Sequence, residues 1–262
     1  LRVEGWFKMR KTVVDMPPFY VMEVMERAQE LERQGRPIIH LEVGEPDFPT
    51  PSCIMEAAAK AIRDGKTYYT SSVGLLELRE AIAEHFLEKY GVSISSDQVI
   101  VTNGSSPGLL ITFSALLEEG DEVIISNPHY SCYPNFVTFL GCTPKFVKIS
   151  EHDGFRYNQE DIKEKINPRT KAIVINSPGN PTGQVLDADA MSRIAALGPT
   201  VVSDEIYHGL VYKGKEHSIL EFTENAFVIS GFSKQFAMTG WRLGYVIAPK
   251  KYVRLLQKLM QN

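Results

Sequence analysis

The chain carries a series of short apolar runs, each ending in a cluster of polar, glycine or proline residues, and this pattern limits it to few folds. VIVT (99–102), EVIIS (122–126), KAIVINS (171–177), TVVSDEIY (200–207), AFVISGF (226–232) and LGYVIAP (243–249) are dense in β-branched residues, which favour extended backbone. They are continuously apolar rather than alternating, the pattern of strands covered on both faces. Segments with helical spacing separate them, among them PGLLITFSALLEEG (107–120) and DADAMSRIAALG (187–198). The expectation is an α/β chain with three layers: a mostly parallel sheet with helices on both faces. Upstream, VMEVMERAQELERQG (21–35), SCIMEAAAKAIRDG (52–65) and LLELREAIAEHFLEKYG (75–91) read as helices that stop at a glycine, with Ser52 as an N-cap. KKYVRLLQKLMQN opens one more helix at the C-terminus, and no internal repeat is present.

Composition narrows the function classes. At 262 residues the chain can form one large α/β domain or two smaller ones. A formal net charge of −4 argues against general nucleic-acid binding, which uses a basic face. The sequence has no apolar run long enough for a membrane span, and LRVEGWFKMRK lacks the apolar core of a secretory signal. Three widely spaced cysteines, Cys53, Cys132 and Cys142, fit reduced thiols in a cytoplasmic protein better than a disulfide framework or a zinc site. No metal site is expected. The eight residues ahead of Met9 read as an extension.

In open α/β sheets, ligands bind beyond the carboxyl ends of the strands, so the residues there carry the functional information. After VIVT comes Asn103-Gly104-Ser105-Ser106-Pro107. That stretch is either an ordinary strand-to-helix turn or a helix start whose free N–H groups hold a phosphate. It is neither a Walker loop nor a GxGxxG turn. After EVIIS comes Asn127-Pro128-His129-Tyr130-Ser131-Cys132-Tyr133-Pro134; its tyrosines serve core packing or stack on a flat ring, and His129 has no ligand partner nearby. After KAIVINS, two prolines bracket Asn180 in PGNPTG, which makes a turn and also fixes that side chain. Asp204 follows a buried strand, where a carboxylate is costly unless it meets a cation: either a structural salt bridge or a cationic ring nitrogen. AFVISGF delivers Ser233 and Lys234, with Arg242 eight residues on. A lysine at a buried strand end loses solvation, so its pKa falls and it becomes a usable nucleophile and base.

A phosphate cradle, a stacking aromatic, a rigid Asn, a Tyr, an anion and a lysine nucleophile thus share one sheet edge. Pyridoxal phosphate, held as a lysine Schiff base with an acid at its pyridine nitrogen, uses every one of them. The run NSPGNPTG … VVSDEIY … SGFSKQFAMTGWRLGY, preceded by LEVGEPDFPTP, also resembles the class I and II aminotransferases of the fold-type I pyridoxal-phosphate enzymes, from about Pro17 to the C-terminus. The resemblance implies a fold-type I large domain over 46–262. It makes 1–45 the N-terminal arm and the start of a small domain that stays incomplete, because the chain stops early.

By the same resemblance Lys234 anchors the cofactor and shuttles a proton, while Asp204 pairs with the ring nitrogen. Asn180 and Tyr207 bind the phenolic oxygen, and Tyr130 stacks on the ring. Gly104, Ser105, Ser106, Ser233 and Arg242 hold the phosphate, an oxyanion that suits an arginine fork. Gly44 and Asn180 lie by the substrate. Tyr69 reaches the phosphate of a neighbouring subunit, which implies a homodimer acting on an amino acid and a 2-oxo acid by a ping-pong scheme. Two departures stand out. Gly231 occupies a position where many members have serine, and the arginine that clamps the substrate carboxylate lies beyond Asn262. Two other readings share this site. A β-carbon–sulfur lyase would use the same first steps. A cofactor-binding regulator would need a DNA-binding domain, for which the 16 residues before Pro17 are too few.

Overall fold

The computed structural model describes residues 9–262; the extension expected ahead of Met9 lies outside them. Seven strands form one sheet: β1 Val99–Thr102, β2 Glu122–Asn127, β3 Thr143–Lys148, β4 Thr170–Asn176, β5 Thr200–Asp204, β6 Ala226–Gly231 and β7 Gly244–Ile247. Their order is β1-β7-β6-β5-β4-β2-β3. β2 runs parallel to β3 and β4, β4 to β5, and β5 to β6, while β7 is antiparallel to both of its neighbours, β6 and β1. Six strands therefore point the same way, and their carboxyl ends share one edge.

Nine α-helices occur in the described residues, α4 to α9 of them packed on the sheet or its flanks: α1 Lys11–Val14, α2 Tyr20–Arg33, α3 Ser52–Arg63, α4 Leu76–Tyr90, α5 Ser105–Leu116, α6 Cys132–Phe139, α7 Gln159–Lys165, α8 Ala188–Ala195 and α9 Lys250–Gln261. Successive strand residues point to opposite faces, and both faces are dry. Val123 and Ile125 of β2, Val174 of β4, and Phe227 and Ile229 of β6 pack with Leu109 and Phe113 of α5, Val137 of α6 and Leu256 of α9. Their neighbours Ile124, Ile173, Ile175 and Val228 pack instead with Ile82 and Phe86 of α4, Ile162 of α7, and Met191 and Ile194 of α8. Each such side chain contributes roughly 1.5–3 kcal/mol of burial before its entropic cost. The three-layer expectation holds, and the continuous apolar runs have their explanation in these two cores.

The local differences have physical reasons. The helix expected over 107–120 begins at Ser105 and ends at Leu116. Pro107 falls inside the first turn, where a missing N–H costs nothing. α3 begins at Ser52 itself, with Pro51 in the cap position, so Ser52 is not an N-cap. β5 stops at Asp204; Glu205 N still donates to Ile229 O at 2.8 Å, and the chain then turns, with His208 N donating to Glu205 O. β3, α6 and α7 have no counterpart among the expected elements. β3 is TPKFVK, an edge strand paired only to β2, with a proline and two lysines. α6 is eight residues containing a proline, and α7 buries only Ile162.

Candidate active site

At the shared carboxyl edge the strands open onto a cavity of about 880 Å³. Gly44, Ser105, Tyr130, Asn180, Asp204, Tyr207 and Lys234 all line it. Gly104, Ser106, Ser233 and Arg242 stand beside these residues without lining the cavity, and Tyr69 is fully exposed away from it.

β4 and β5 bring the acid and amide groups together. Register pairs Asn176 with Asp204, and Asn176 Nδ2 donates to Asp204 O at 2.9 Å. The Asn176 Oδ1 accepts from Asn180 N at 2.6 Å, so one amide side chain ties two strand ends to the PGNPTG turn. Asn180 Nδ2 then donates to the Tyr207 hydroxyl at 3.2 Å. Burial pushes the Tyr207 phenol up, with Asn180 opposing, so Tyr207 stays protonated. Sequence reasoning passed over Asn176; its signal was a polar residue ending an otherwise apolar strand.

Asp204 is 4% exposed. Its Oδ2 accepts from the Tyr133 hydroxyl at 2.7 Å and its Oδ1 from Ile206 N at 3.2 Å. No Lys, Arg or His forms an ion pair with it among the described residues, so the structural salt bridge is not realised. Burial pushes its carboxyl up to about 6, against the pull of the Tyr133 hydrogen bond. Tyr133, fully buried, therefore has a role beside its packing. Tyr130 also meets Tyr133 edge-on, with centroids 5.4 Å apart, and Phe19 of the N-terminal arm at 5.9 Å; its hydroxyl lies against Ser106 and Cys132.

Lys234 sits in the turn that follows β6, half-buried, and its Nζ donates to Gly44 O at 3.0 Å. The ammonium is pushed below the usual lysine range chiefly by burial; Glu45 opposes this and Arg242 adds to it. The arm carrying Gly44 is held across the same turn. Thr50 Oγ1 donates to Ala237 O at 2.5 Å, Trp241 Nε1 to Thr50 Oγ1 at 3.0 Å, and Thr239 Oγ1 to Glu45 Oε2 at 3.0 Å.

The start of α5 is packed through glycines. Gly104 adopts φ +105 in the cap position, and a Cβ there would collide with the Arg242 guanidinium. Gly244 allows the α5 start onto β7, since its Cβ would come 2.7 Å from Gly104 C and 2.9 Å from Ser105 N. Gly231, paired with Gly244, would bring a Cβ to 3.0 Å from Gly244 Cα and Leu243 O, so a side chain here needs the neighbouring backbone to give slightly. Arg242, itself at φ +55, donates to Thr239 O at 3.0 Å and to Asn103 O at 3.4 Å. The first N–H groups of α5 and a guanidinium thus lie together, the arrangement that receives an oxyanion.

No grouping of three or more His, Cys, Asp or Glu side chains suited to a metal occurs among the described residues. No described helix is long and apolar enough to cross a membrane.

Comparison with known proteins identifies the family. The family profile of aminotransferase class I and II matches residues 36–262. The (5-formylfuran-3-yl)methyl phosphate transaminase of Methanocaldococcus jannaschii is 46% identical over 255 residues, covering 96% of this chain and 67% of that protein. The aspartate aminotransferase of Geobacillus stearothermophilus is 40% identical over 264 residues, covering 97% and 67%. Among solved structures, the aspartate aminotransferase of Thermus thermophilus with maleate superposes with a TM-score of 0.95 at 39% identity, covering 98% of this chain and 68% of that one. The chain spans about two thirds of the length of these relatives. These relatives are transaminases, and nothing among them favours the lyase reading. The chain belongs to the class I and II aminotransferases, a family of pyridoxal-phosphate-dependent α/β enzymes.

Proposed function

We propose that this protein moves an amino group between an amino acid and a 2-oxo acid, with pyridoxal phosphate bound at the carboxyl edge of the sheet. The observation that carries this reading is a buried carboxyl without a cation, Asp204, on the same cavity as a lysine whose amine is shifted toward its neutral form. The residues fit the group on independent grounds. Asp204 awaits a cation, the α5 start and Arg242 suit a phosphate, and only a glycine at 104 leaves the space between them.

When bound, the cofactor supplies an aldehyde carbon that takes up the amino group and a ring that accepts the electrons left at the substrate α-carbon. Lys234 would act first as nucleophile and then as the base that moves a proton between two carbons, and its lowered pKa raises the fraction of free amine. Asp204 would hold the pyridine nitrogen protonated, with Tyr133 fixing the carboxylate. Asn180 and Tyr207 would bind the phenolic oxygen, and Tyr130 would cover one ring face. Gly104, Ser105, Ser106, Ser233 and Arg242 would take the phosphate. Gly44, whose carbonyl holds the Lys234 amine, would lie beside the substrate.

A second copy would bring Tyr69 to the phosphate. Exposed apolar side chains at Ile39, Leu41, Tyr68 and Tyr69 support such pairing. Free thiols at Cys53, Cys132 and Cys142 fit a reducing, cytoplasmic setting.

Addition of pyridoxal phosphate to the purified protein should produce a visible absorption band. An amino-acid donor should bleach it, and a 2-oxo acid should restore it. A protein that stays colourless with added cofactor would sink the reading. A panel that includes aspartate, prephenate and phosphorylated aldehydes, the compounds named for the relatives, then identifies the substrate pair.

A further inference from the structure

Directly behind Asp204 lies a second buried acid that the proposed chemistry does not use. Glu205 is 1% exposed. Its two oxygens differ. Oε1 accepts from Ser203 Oγ at 2.9 Å, Ser218 Oγ at 3.2 Å and Ile219 N at 3.0 Å. Oε2 has no hydrogen-bond partner and faces His208 Nδ1 at 3.5 Å. That imidazole nitrogen lies 2.6 Å from the Tyr90 hydroxyl of α4. The backbone of Glu205 is fixed as well: its N donates to Ile229 O, and its O accepts from Ser230 Oγ at 3.3 Å.

This cluster anchors one wall of the cavity. His208 N donates to Glu205 O at 3.1 Å. Gly209 N donates to the Glu216 carboxylate at 2.9 Å, which in turn pairs with Lys89 of α4. The segment between these two anchors supplies Leu210, Val211, Tyr212 and Lys213 to the cavity, and Tyr207 immediately precedes it.

We propose that Glu205 is a neutral carboxylic acid with its proton on Oε2, a positioning residue that pins the 207–213 wall and leaves Asp204 as the single negative charge behind the site. Two adjacent buried carboxylates would repel each other through the dry sheet and would share the attraction of any cation bound at Asp204. One proton on Glu205 removes that conflict. The oxygen already satisfied by three donors has no call for the proton, whereas the empty one faces a neutral imidazole.

The surrounding charges agree. Burial raises the Glu205 carboxyl to about 8; its three donors oppose this and Asp204 adds to it. Burial holds His208 down at about 4, with Glu216 opposing and Lys89 and His85 of α4 adding to the depression. Tyr90 stays protonated, since burial raises its phenol and the charges of Glu216 and Glu221 add to this, and Tyr245 of β7 stays protonated chiefly under burial. A folded-state pKa raised above the unfolded value gives stability that is complete below the unfolded value and is lost as the pH rises through the folded one. For Glu205 that loss runs from about pH 4.3 upward and ends near 8.

The inference rests on Asp204 being the partner of the cofactor's ring nitrogen, so the test separates the two ideas. Infrared pH titration of the intact protein, with and without pyridoxal phosphate, should show protonated-carboxyl absorption lost in two steps, near pH 6 for Asp204 and near pH 8 for Glu205. Cofactor should move the first step to lower pH and leave the second in place. The second step should vanish in Glu205→Gln, whose amide keeps a neutral side chain. That variant should retain catalysis within a few-fold and show a flatter fall of Tm between pH 5 and 8. A wild-type spectrum with no protonated carboxyl assignable to Glu205 at pH 7 overturns the proposal, as does an unchanged Tm profile in Glu205→Gln. If Glu205→Gln does not fold, the wild-type titration alone decides. A missing cofactor effect on the first step counts against the cofactor reading and leaves the Glu205 assignment standing.

Discussion

Two buried acids stand at opposite edges of the same sheet. Glu122, 2% exposed at the amino end of β2, is met by Arg169 at 2.7 Å, Lys145 at 3.5 Å and the Asn167 amide at 2.8 Å. Its carboxyl is held below the usual range, first by the Asn167 hydrogen bond and then by the Arg169 and Lys145 charges. Asp204, 4% exposed at the carboxyl end of β5, has one hydroxyl, one amide N–H and no cation among the described residues, and sits near 6. A structural acid is matched by cations of its own chain, whereas a reserved one is not. Both are buried, but only Asp204 faces a cavity with its charge unspent.

Lys234→Ala should lower kcat about 10³-fold or more, the scale expected when a base and nucleophile is lost, with Tm nearly unchanged. Stopped-flow transamination assays check it. Asp204→Asn should lower kcat on the order of 10²-fold. In cofactor-free protein it should nevertheless raise stability above pH 6. The raised folded pKa of Asp204 means that its contribution is full below about pH 4 and lost as the pH rises through about 6. Calorimetry at pH 4 and pH 8 reads the crossover. Gly104→Ala places a methyl against the Arg242 guanidinium at positive φ; it should weaken cofactor binding about tenfold and cost about 1–2 kcal/mol, measurable by equilibrium dialysis and urea melts. Tyr133→Phe removes one donor from Asp204. It should cost about 1 kcal/mol and move the acid limb of kcat/KM to higher pH, because the Asp204 carboxylate loses a stabilising partner. Glu122→Gln should cost about 1 kcal/mol and leave kcat untouched. A catalytic defect in that last variant would erase the distinction between the two edges.

Much of this was legible in the sequence, for identifiable reasons. AIVI within KAIVINS and AFVI within AFVISGF are apolar in unbroken succession because both faces of β4 and β6 are buried, so the pattern alone revealed the three layers. The strand-end residues were legible because polar groups interrupt those runs abruptly. What escaped depends on three-dimensional company. β3 carries two lysines on an edge and α7 buries a single isoleucine, so neither has a strong pattern. Tyr133 looked like core and is core, yet its hydroxyl reaches Asp204 from 71 residues away in sequence. Asn176 likewise reads as the end of a strand until its amide is seen to join Asp204 and Asn180. The close approach of the Gly244 backbone to Gly231 is likewise visible only in the folded chain.

Two lysines, Lys234 and Lys213, line the cavity, and Lys234 is the one proposed to carry the cofactor. Borohydride reduction of protein loaded with pyridoxal phosphate, followed by peptide mapping by mass spectrometry, tests this directly. The predicted result is a single stable pyridoxyl adduct on Lys234. An adduct on Lys213 or any other lysine, with Lys234 unmodified, would contradict it.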